Sequence, residues 1–332
     1  MLNIYKSVEG VIRRQESFST GCWFNLVTPT DDEIETAREA LDVDAGFLRA
    51  ALDEEETSRV EIEDGQTLII IDVPSVDDDQ LIADMAPISF GRRDRKALRR
   101  LRHERNPIYS TIPMGIVITD RGIATVATRT VSPVREIADG LVKGANPAHK
   151  TRFIFTLLLR VATRFLQYLR QIDKVARVVE HKLYAATENK ELIQLLRLEK
   201  SLVFFSTSLK ANEVTLEKIL RGRILKLYDE DKDLLEDVLI EVRQAIEMAN
   251  IYSTILSGTM DAFASIISNN VNVTMKMFAA LTILITIPNI IYSFYGMNVE
   301  GLPLIGTPIF AVGLSAVMCL LAGIIMKRRN MF

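Results

Sequence analysis

The most informative stretch of the sequence is an apolar segment near the carboxyl end of the chain. Residues 276–298 read KMFAALTILITIPNIIYSFYGMN, and between Lys276 and Lys327 the only charged residue is Glu300. At about 1.5 Å per helical residue, the roughly 18 residues of 277–294 match the ~30 Å hydrocarbon thickness of a bilayer. We therefore predict that residues 277–294 form a transmembrane helix.

A second apolar segment, residues 308–326, follows after a short loop. Lys327, Arg328 and Arg329 come directly after it, whereas the loop 295–307 contains no Lys or Arg. Because basic residues near a span stay on the cytoplasmic side, we expect both termini in the cytoplasm and only the loop outside. The predicted location is the cell (plasma) membrane, with two passes.

The remainder of the chain is a charged body. The 332 residues carry 43 acidic and 40 basic side chains, for a net charge of −3. The apolar tail excludes a freely soluble protein, because it would aggregate or enter a bilayer. Cys22 and Cys319 are the only cysteines and the amino terminus has no hydrophobic signal core, which excludes a secreted protein built on disulfides.

The pattern of strand, helix and turn signals in residues 1–130 predicts a mixed α/β domain. Residues 22–27 (CWFNLV) favour a strand, and Thr30 with Glu33 forms a capping-box pattern that opens a helix. Turn residues at Asp64-Gly65 and at 120–122 separate β-type runs, so we predict a hairpin at each place.

Residues 131–276 indicate long helices. Ser132-Pro133 is a helix start signal, and residues 150–270 contain no proline and only Gly222 and Gly258. We expect a helix to end near Gly222 and another to run from about Asp229 into the first span, a stalk about 100 Å long. The predicted fold class is an α+β membrane protein with a cytosolic α/β domain, a helical stalk and two transmembrane helices. The predicted domains are 1–130, 131–276, 277–294, 295–307, 308–326 and the basic tail 327–332.

A stripe of small and polar residues runs along the stalk into the first span at alternating spacings of four and three. Its members, called here the polar stripe, are Asp261, Ser265, Ser268, Asn272, Met275, Ala279, Thr282, Thr286, Asn289 and Ser293. One interpretation is a helix-packing seam, since small and hydroxylated residues are common where transmembrane helices touch. The other is the wall of a water-filled pore.

Asn289 favours the pore, because a side-chain amide beside Pro288 in a bilayer needs partners from other helices or from water. One polar stripe cannot enclose a pore alone. Several copies around an axis are required, which predicts a cyclic homo-oligomer.

Tyr295-Gly296-Met297-Asn298 stands at the outer end of the first span. Here the sequence resembles the CorA family of magnesium transporters, whose signature is Gly-Met-Asn just after the first of two carboxyl-terminal spans. Residues 22–27 are also similar to the family's Trp-Ile-Asn strand motif, and residues 255–272 to its stretch leading into the pore. The resemblance extends over essentially the whole chain.

The resemblance implies a homopentamer with the first span lining the pore and Mg²⁺ as both cargo and regulator. It assigns Gly296, Met297 and Asn298 to an outer selectivity ring. Asn272 and Met275 match the polar and apolar constrictions at the inner mouth, and Asp261 an acidic residue below them. The polar stripe supplies the other pore-lining positions.

The chemistry of the outer loop suits this ion. Mg²⁺ releases water reluctantly and prefers octahedral oxygen, so Asn298 amides and turn carbonyls are suited to bind a hydrated ion. Gly296 permits the turn, and Glu300 raises the local cation concentration or serves only solubility.

The resemblance also implies regulatory Mg²⁺ bound by carboxylates between subunits, with Asp237 at the matching position of the stalk. Its usual partner position is Ala50 here, and the nearest carboxylates are Asp53 and Glu54. A solvated acidic face is the alternative explanation for such residues.

Residues 91–105, GRRDRKALRRLRHER, are strongly basic. No aromatic residues interleave the run, so we expect no nucleic acid partner but a helical insertion that pairs with acidic stretches or anionic lipid. His103, His149 and His181 are scattered without metal-ligand spacing, so we expect no enzyme. The functional alternatives are transport of Zn²⁺, Co²⁺ or Ni²⁺, and a membrane-anchored scaffold without transport.

Overall fold

The structure is a computed structural model that describes residues 1–76, 109–183, 190–222, 224–225, 228–297 and 308–329. The chain divides into two compact units, Met1–Ser257 and Gly258–Phe332. The first unit contains both the α/β region 1–130 and most of the helical region 131–276, which we predicted as separate domains. The two share one unit because long helices pack directly on the sheet.

The described part of the first unit contains a seven-stranded sheet in the order β2-β1-β3-β7-β6-β5-β4. Its strands are β1 (Leu2–Val8), β2 (Val11–Gln15), β3 (Cys22–Val27), β4 (Arg59–Glu63), β5 (Gln66–Val76), β6 (Tyr109–Ile118) and β7 (Gly122–Ala127). Neighbouring strands are antiparallel except β3 and β7, which are parallel. The parallel pair joins segments about a hundred residues apart, with Cys22 opposite Gly122.

The predicted strand and both predicted hairpins are confirmed. β3 covers Cys22–Val27, and β4–β5 and β6–β7 pair as hairpins. At the first turn, Asp64 has φ 48° and Gly65 φ 78°, the pair of left-handed residues that a tight hairpin turn requires. β1 and β2 were not predicted from the sequence, because their partly exposed residues show no clean alternation.

The described helices are α1 (Asp31–Leu41), α2 (Ala45–Ala50), α3 (Ser132–Ala138), α4 (Lys150–Leu183), α5 (Lys190–Gly222), α6 (Asp229–Tyr295) and α7 (Pro308–Arg328). The capping box of α1 is confirmed: Glu33 N–H donates to the Thr30 hydroxyl, and Thr30 N–H donates to the Glu33 carboxylate. α5 ends at Gly222, and α6 runs unbroken for 67 residues, both as predicted.

Two helical layers cover the sheet. On one face, Phe24, Leu68 and Val126 pack in a buried cluster with residues of α1 and α2. On the other face, the Trp23 ring lies 5.1 Å from Phe153 of α4. The sheet is therefore the central layer of a three-layer unit.

The first part of α6 belongs to this unit. Leu235, Val238 and Val242 are buried, and the latter two meet residues of α4 and α5. Arg243 forms ion pairs with Glu213 and Glu217 of α5, at 2.6 and 2.5 Å. The apolar stripe of this segment is thus buried within its own chain.

The second unit contains the rest of α6 and α7. Within the described part of the chain, α6 and α7 are the two helices long and apolar enough to cross a membrane. Few of their apolar side chains are buried, since this hairpin offers each helix only one neighbour.

Candidate functional site

One face of α6 packs against α7 in the second unit. Ala280 is buried, and Leu284, Ile287 and Ile291 are half-buried at spacings of four, three and four. The facing side of α7 is small: Ala311 and Ser315 are buried there, and Cys319, Ala322 and Gly323 are half-buried. Small residues are common where transmembrane helices pack against each other.

Two polar contacts and one aromatic contact join these helices. The Tyr292 hydroxyl lies 3.1 Å from the Ser315 hydroxyl, and the Cys319 sulfur lies 3.6 Å from the Leu284 carbonyl oxygen. The Tyr295 ring lies 6.1 Å from Phe310. Residue numbers rise on α6 as they fall on α7, so the helices are antiparallel.

The polar stripe lies on a different face of α6. Every one of its members, from Asp261 to Ser293, is exposed in the single chain. At about 100° per residue, the stripe within the span is centred about 150° from the α7-packing face. α7 therefore does not cover the polar stripe, and the stripe is not the seam between the two helices of this hairpin.

Both threonine hydroxyl groups of the stripe donate to their own helix. Thr282 Oγ1 donates to the Phe278 carbonyl at 2.8 Å, and Thr286 Oγ1 donates to the Thr282 carbonyl at 2.7 Å. A hydroxyl has one proton and two lone pairs, so each oxygen retains acceptor capacity. The water molecules bound to a cation direct their O–H groups outward, so these threonine oxygens are suitable acceptors for a hydrated cation.

Asn289 is the most polar side chain within the predicted first span, and it is exposed. No side chain or backbone group in the described ranges is hydrogen-bonded to its amide. Inside a bilayer an unpartnered amide costs several kcal/mol. Water or another copy of the chain must supply the missing partners.

The helix ends in a tight turn formed by Gly296 and Met297, the first two residues of the predicted selectivity ring. Gly296 N–H donates to the Tyr292 carbonyl at 2.9 Å, and Met297 N–H donates to the Phe294 carbonyl at 3.4 Å. The Met297 side chain is exposed. A Cβ atom at position 296 would stand 3.1 Å from the Tyr292 carbonyl oxygen. Glycine is therefore favoured here by close backbone approach. Asn298 and Glu300 lie outside the described residues.

The three predicted regulatory carboxylates are exposed in the first unit. Asp237 lies on α6, while Asp53 and Glu54 follow α2. Asp53 accepts the N–H of Glu55 at 3.0 Å, and Glu54 lies 3.7 Å from Arg129. Over the described ranges, no group of three or more His, Cys, Asp or Glu side chains is arranged to hold a metal. The described part of one chain therefore does not gather these carboxylates into a site.

Sequence reasoning missed a half-buried carboxyl, Asp72 of β5. Its backbone forms two hydrogen bonds with the Asn212 side chain of α5, at 2.9 and 2.8 Å. Burial raises the pKa of Asp72, and a hydrogen bond from Ser208 opposes that rise. No local pattern in the sequence marks this residue, because α5 supplies its surroundings. The predicted basic insertion, residues 91–105, lies outside the described ranges.

The described chain combines a charged α/β unit with an apolar helix pair that exposes a polar face, an architecture suited to a membrane transport protein. The chain belongs to the family of CorA-like Mg²⁺ transporter proteins, whose sequence profile matches residues 97–328. The resemblance noted in the sequence is thereby confirmed.

Known relatives agree in sequence and fold. The cobalt/magnesium transport protein CorA of Methanocaldococcus jannaschii is 25% identical over 313 residues, which cover 92% of this chain and 87% of the relative. The complete structure of the CorA magnesium transporter from that organism matches with a TM-score of 0.78 and 21% identity, covering 99% of this chain and 98% of the other. The ZntB cytoplasmic domain from Vibrio parahaemolyticus matches with a TM-score of 0.55 and 10% identity, covering 81% and 97%. The predicted fold class is confirmed.

Proposed function

We propose that this protein is a homopentameric channel for divalent cations that takes up Mg²⁺ through the plasma membrane. Family membership and the relative named as a cobalt/magnesium transport protein support this function. The supporting observation within this chain is the polar stripe, which is exposed along its whole length and lies away from the α7-packing face.

The first span, residues 277–294, lines the pore, and the second, residues 308–326, forms an outer ring against lipid. Five copies of α6 around an axis supply the partners that Asn289 lacks within the described part of one chain. The inner mouth is formed by Asp261, Asn272 and Met275. Cytosolic residues 1–130 and 131–276, together with the basic tail 327–332, place both termini in the cytoplasm.

Selection of the ion occurs at the outer loop, residues 295–307. A ring of Gly296, Met297 and Asn298 presents amide and carbonyl oxygens to hydrated Mg²⁺. Glu300 concentrates cations near the mouth. A divalent ion gains about 4.6 kcal/mol per 100 mV of inward-directed potential, so the membrane potential is sufficient as the driving force.

Cytosolic Mg²⁺ closes the channel by bridging carboxylates of neighbouring subunits. Asp237 lies on an exposed face of α6 and is available to a second chain. Asp53 and Glu54 are the partners we propose, since both are exposed while position 50 is an alanine. The bound ion offsets carboxylate repulsion and favours the closed ring.

The test is a flux assay with full-length protein in liposomes under an inward-directed potential. Asn298→Ala removes the amide oxygens of the ring but leaves the backbone turn, so we expect Mg²⁺ uptake to be abolished. Val299→Ala is the matched control, a small truncation at the next residue, and should transport normally. Pentamer assembly of each variant is measured by mass in detergent.

Competing Co²⁺, Ni²⁺ and Zn²⁺ in the same assay rank the ions. Stronger uptake of one of these than of Mg²⁺ would change the assigned cargo but not the mechanism. Wild-type protein that assembles under a correctly oriented potential yet moves no divalent cation would refute transport and favour a membrane-anchored scaffold.

A further inference from the structure

Pro288 interrupts the backbone hydrogen bonding of the first span. It lies inside α6, and proline has no N–H to donate to the carbonyl of residue 284, four positions earlier. An unsatisfied carbonyl in the hydrocarbon region costs several kcal/mol, so another donor is expected nearby.

The neighbouring helix supplies that donor. The Cys319 sulfur of α7 lies 3.6 Å from the Leu284 carbonyl oxygen, and a thiol carries one weak donor proton. Cys319 is half-buried on the side of α7 that faces α6. The contact therefore falls on the carbonyl that Pro288 leaves free.

A second contact lies on the other side of Pro288. Ser315 donates its proton to the Val312 carbonyl at 2.8 Å, so the Tyr292 hydroxyl, at 3.1 Å, is the donor to the Ser315 oxygen. Together the two contacts hold α6 to α7 before and after the proline. Proline kinks are points where a helix bends, and one contact with α7 lies on each side of this point.

We propose that the Cys319 thiol replaces the missing Pro288 N–H and is a positioning residue for the pore-lining face of α6. Asn289 directly follows the proline and lies on the face away from α7, so the angle of the helix at Pro288 sets where Asn289 stands. The transport consequence rests on the proposed channel function, whereas the hydrogen bond itself does not.

The test is a double-mutant cycle in the full-length protein, read as Mg²⁺ flux in liposomes. Cys319→Ala removes the donor and should lower flux about threefold, the scale of one hydrogen bond between membrane helices. Cys319→Ser keeps a donor and should retain most of the flux. In a Pro288→Ala background the new N–H serves the Leu284 carbonyl, so adding Cys319→Ala should change nothing.

Val317→Ala, on the exposed side of α7, is the control for truncation alone and should be silent. An equal loss from Cys319→Ala in both backgrounds would overturn the proposal, because that result indicates packing volume. So would a Cys319→Ser variant as poor as Cys319→Ala.

Infrared spectroscopy measures the hydrogen bond without transport. The difference spectrum between wild type and Cys319→Ala isolates the S–H stretching band of Cys319, which hydrogen bonding shifts to lower frequency. A band at the frequency of a free thiol overturns the proposal, even if Pro288→Ala fails to assemble. A shifted band in a protein without flux would instead uphold the hydrogen bond and refute the channel function.

Discussion

The two parts of the continuous helix α6 differ in the face that each presents and in what surrounds that face. In residues 229–257 an apolar stripe that includes Leu235, Val238 and Val242 is buried, and its neighbours belong to the same chain. In residues 258–295 a polar stripe with the same kind of spacing is exposed along its length. Periodicity alone predicts that one face of a helix has a different environment from the rest, but it does not identify that environment. The chemistry of that face indicates whether the partner is a core or an aqueous path.

The largest effect is expected when Asn289, the amide of the polar stripe within the first span, is replaced by an apolar residue. Asn289→Leu makes the second part of α6 resemble the first, and an apolar ring favours dewetting of a pore. We expect Mg²⁺ flux in liposomes to fall at least about tenfold while assembly persists. Ile285→Leu, one turn earlier and off the stripe, is the control and should be silent. Normal flux in Asn289→Leu would contradict the pore and favour the interpretation of the stripe as a helix-packing seam.

Removal of an exposed carboxylate from the first part should affect regulation but not conduction. Asp237→Ala eliminates one proposed ligand of regulatory Mg²⁺, so the channel should stay open at internal Mg²⁺ several-fold above the wild-type inhibitory level. Flux measured against internal Mg²⁺ checks this.

The double variant Asp53→Ala with Glu54→Ala should shift the same inhibition curve. Asp233→Ala, another exposed acid of α6, should not. An unchanged curve for Asp237→Ala would remove that residue from the sensor, and an unchanged curve for the double variant alone would leave Asp237 working with other carboxylates.

Truncation of the buried stripe should affect stability and leave the ion path intact. Leu235 is fully buried, and replacing it with alanine leaves a cavity that costs about 2–5 kcal/mol of unfolding free energy. Thermal unfolding in detergent, followed by circular dichroism, should show a lower midpoint. Ile240→Ala, 60% exposed in the single chain, is the comparison and should change little. A comparable loss at Ile240 would indicate that this side chain is covered in the assembly.

The smallest effect is expected at Asp72, in the core that receives the first part of α6. Its pKa is raised from the ordinary 3.8 by burial, so folding favours the neutral carboxyl. Its stabilising contribution is complete below pH 3.8 and is lost as the pH rises through the raised pKa. Asp72→Asn should flatten the pH dependence of the unfolding midpoint above pH 3.8. The same slope in both proteins would contradict this assignment.

Local patterns predicted much of the fold. The capping residues Thr30 and Glu33, the turn at Asp64-Gly65 and the helix end at Gly222 were all identified because each depends on a few neighbouring residues. β1 and β2 were missed because their residues are only partly buried and their partners are distant. The polar stripe was identified from spacing, since a helix repeats its face every 3.6 residues.

The membrane segments, the polar stripe and the family resemblance could all be predicted from the sequence. These follow from length, apolarity, periodicity and a short motif at Tyr295-Gly296-Met297-Asn298, all of which are local properties. Three features required the folded chain: β3 pairs in parallel with β7, α4 and α5 pack on the sheet, and α7 faces α6 away from the stripe. The contact of Cys319 with the Leu284 carbonyl belongs to the same group. Such contacts join residues far apart in the chain, and their register depends on how whole elements pack.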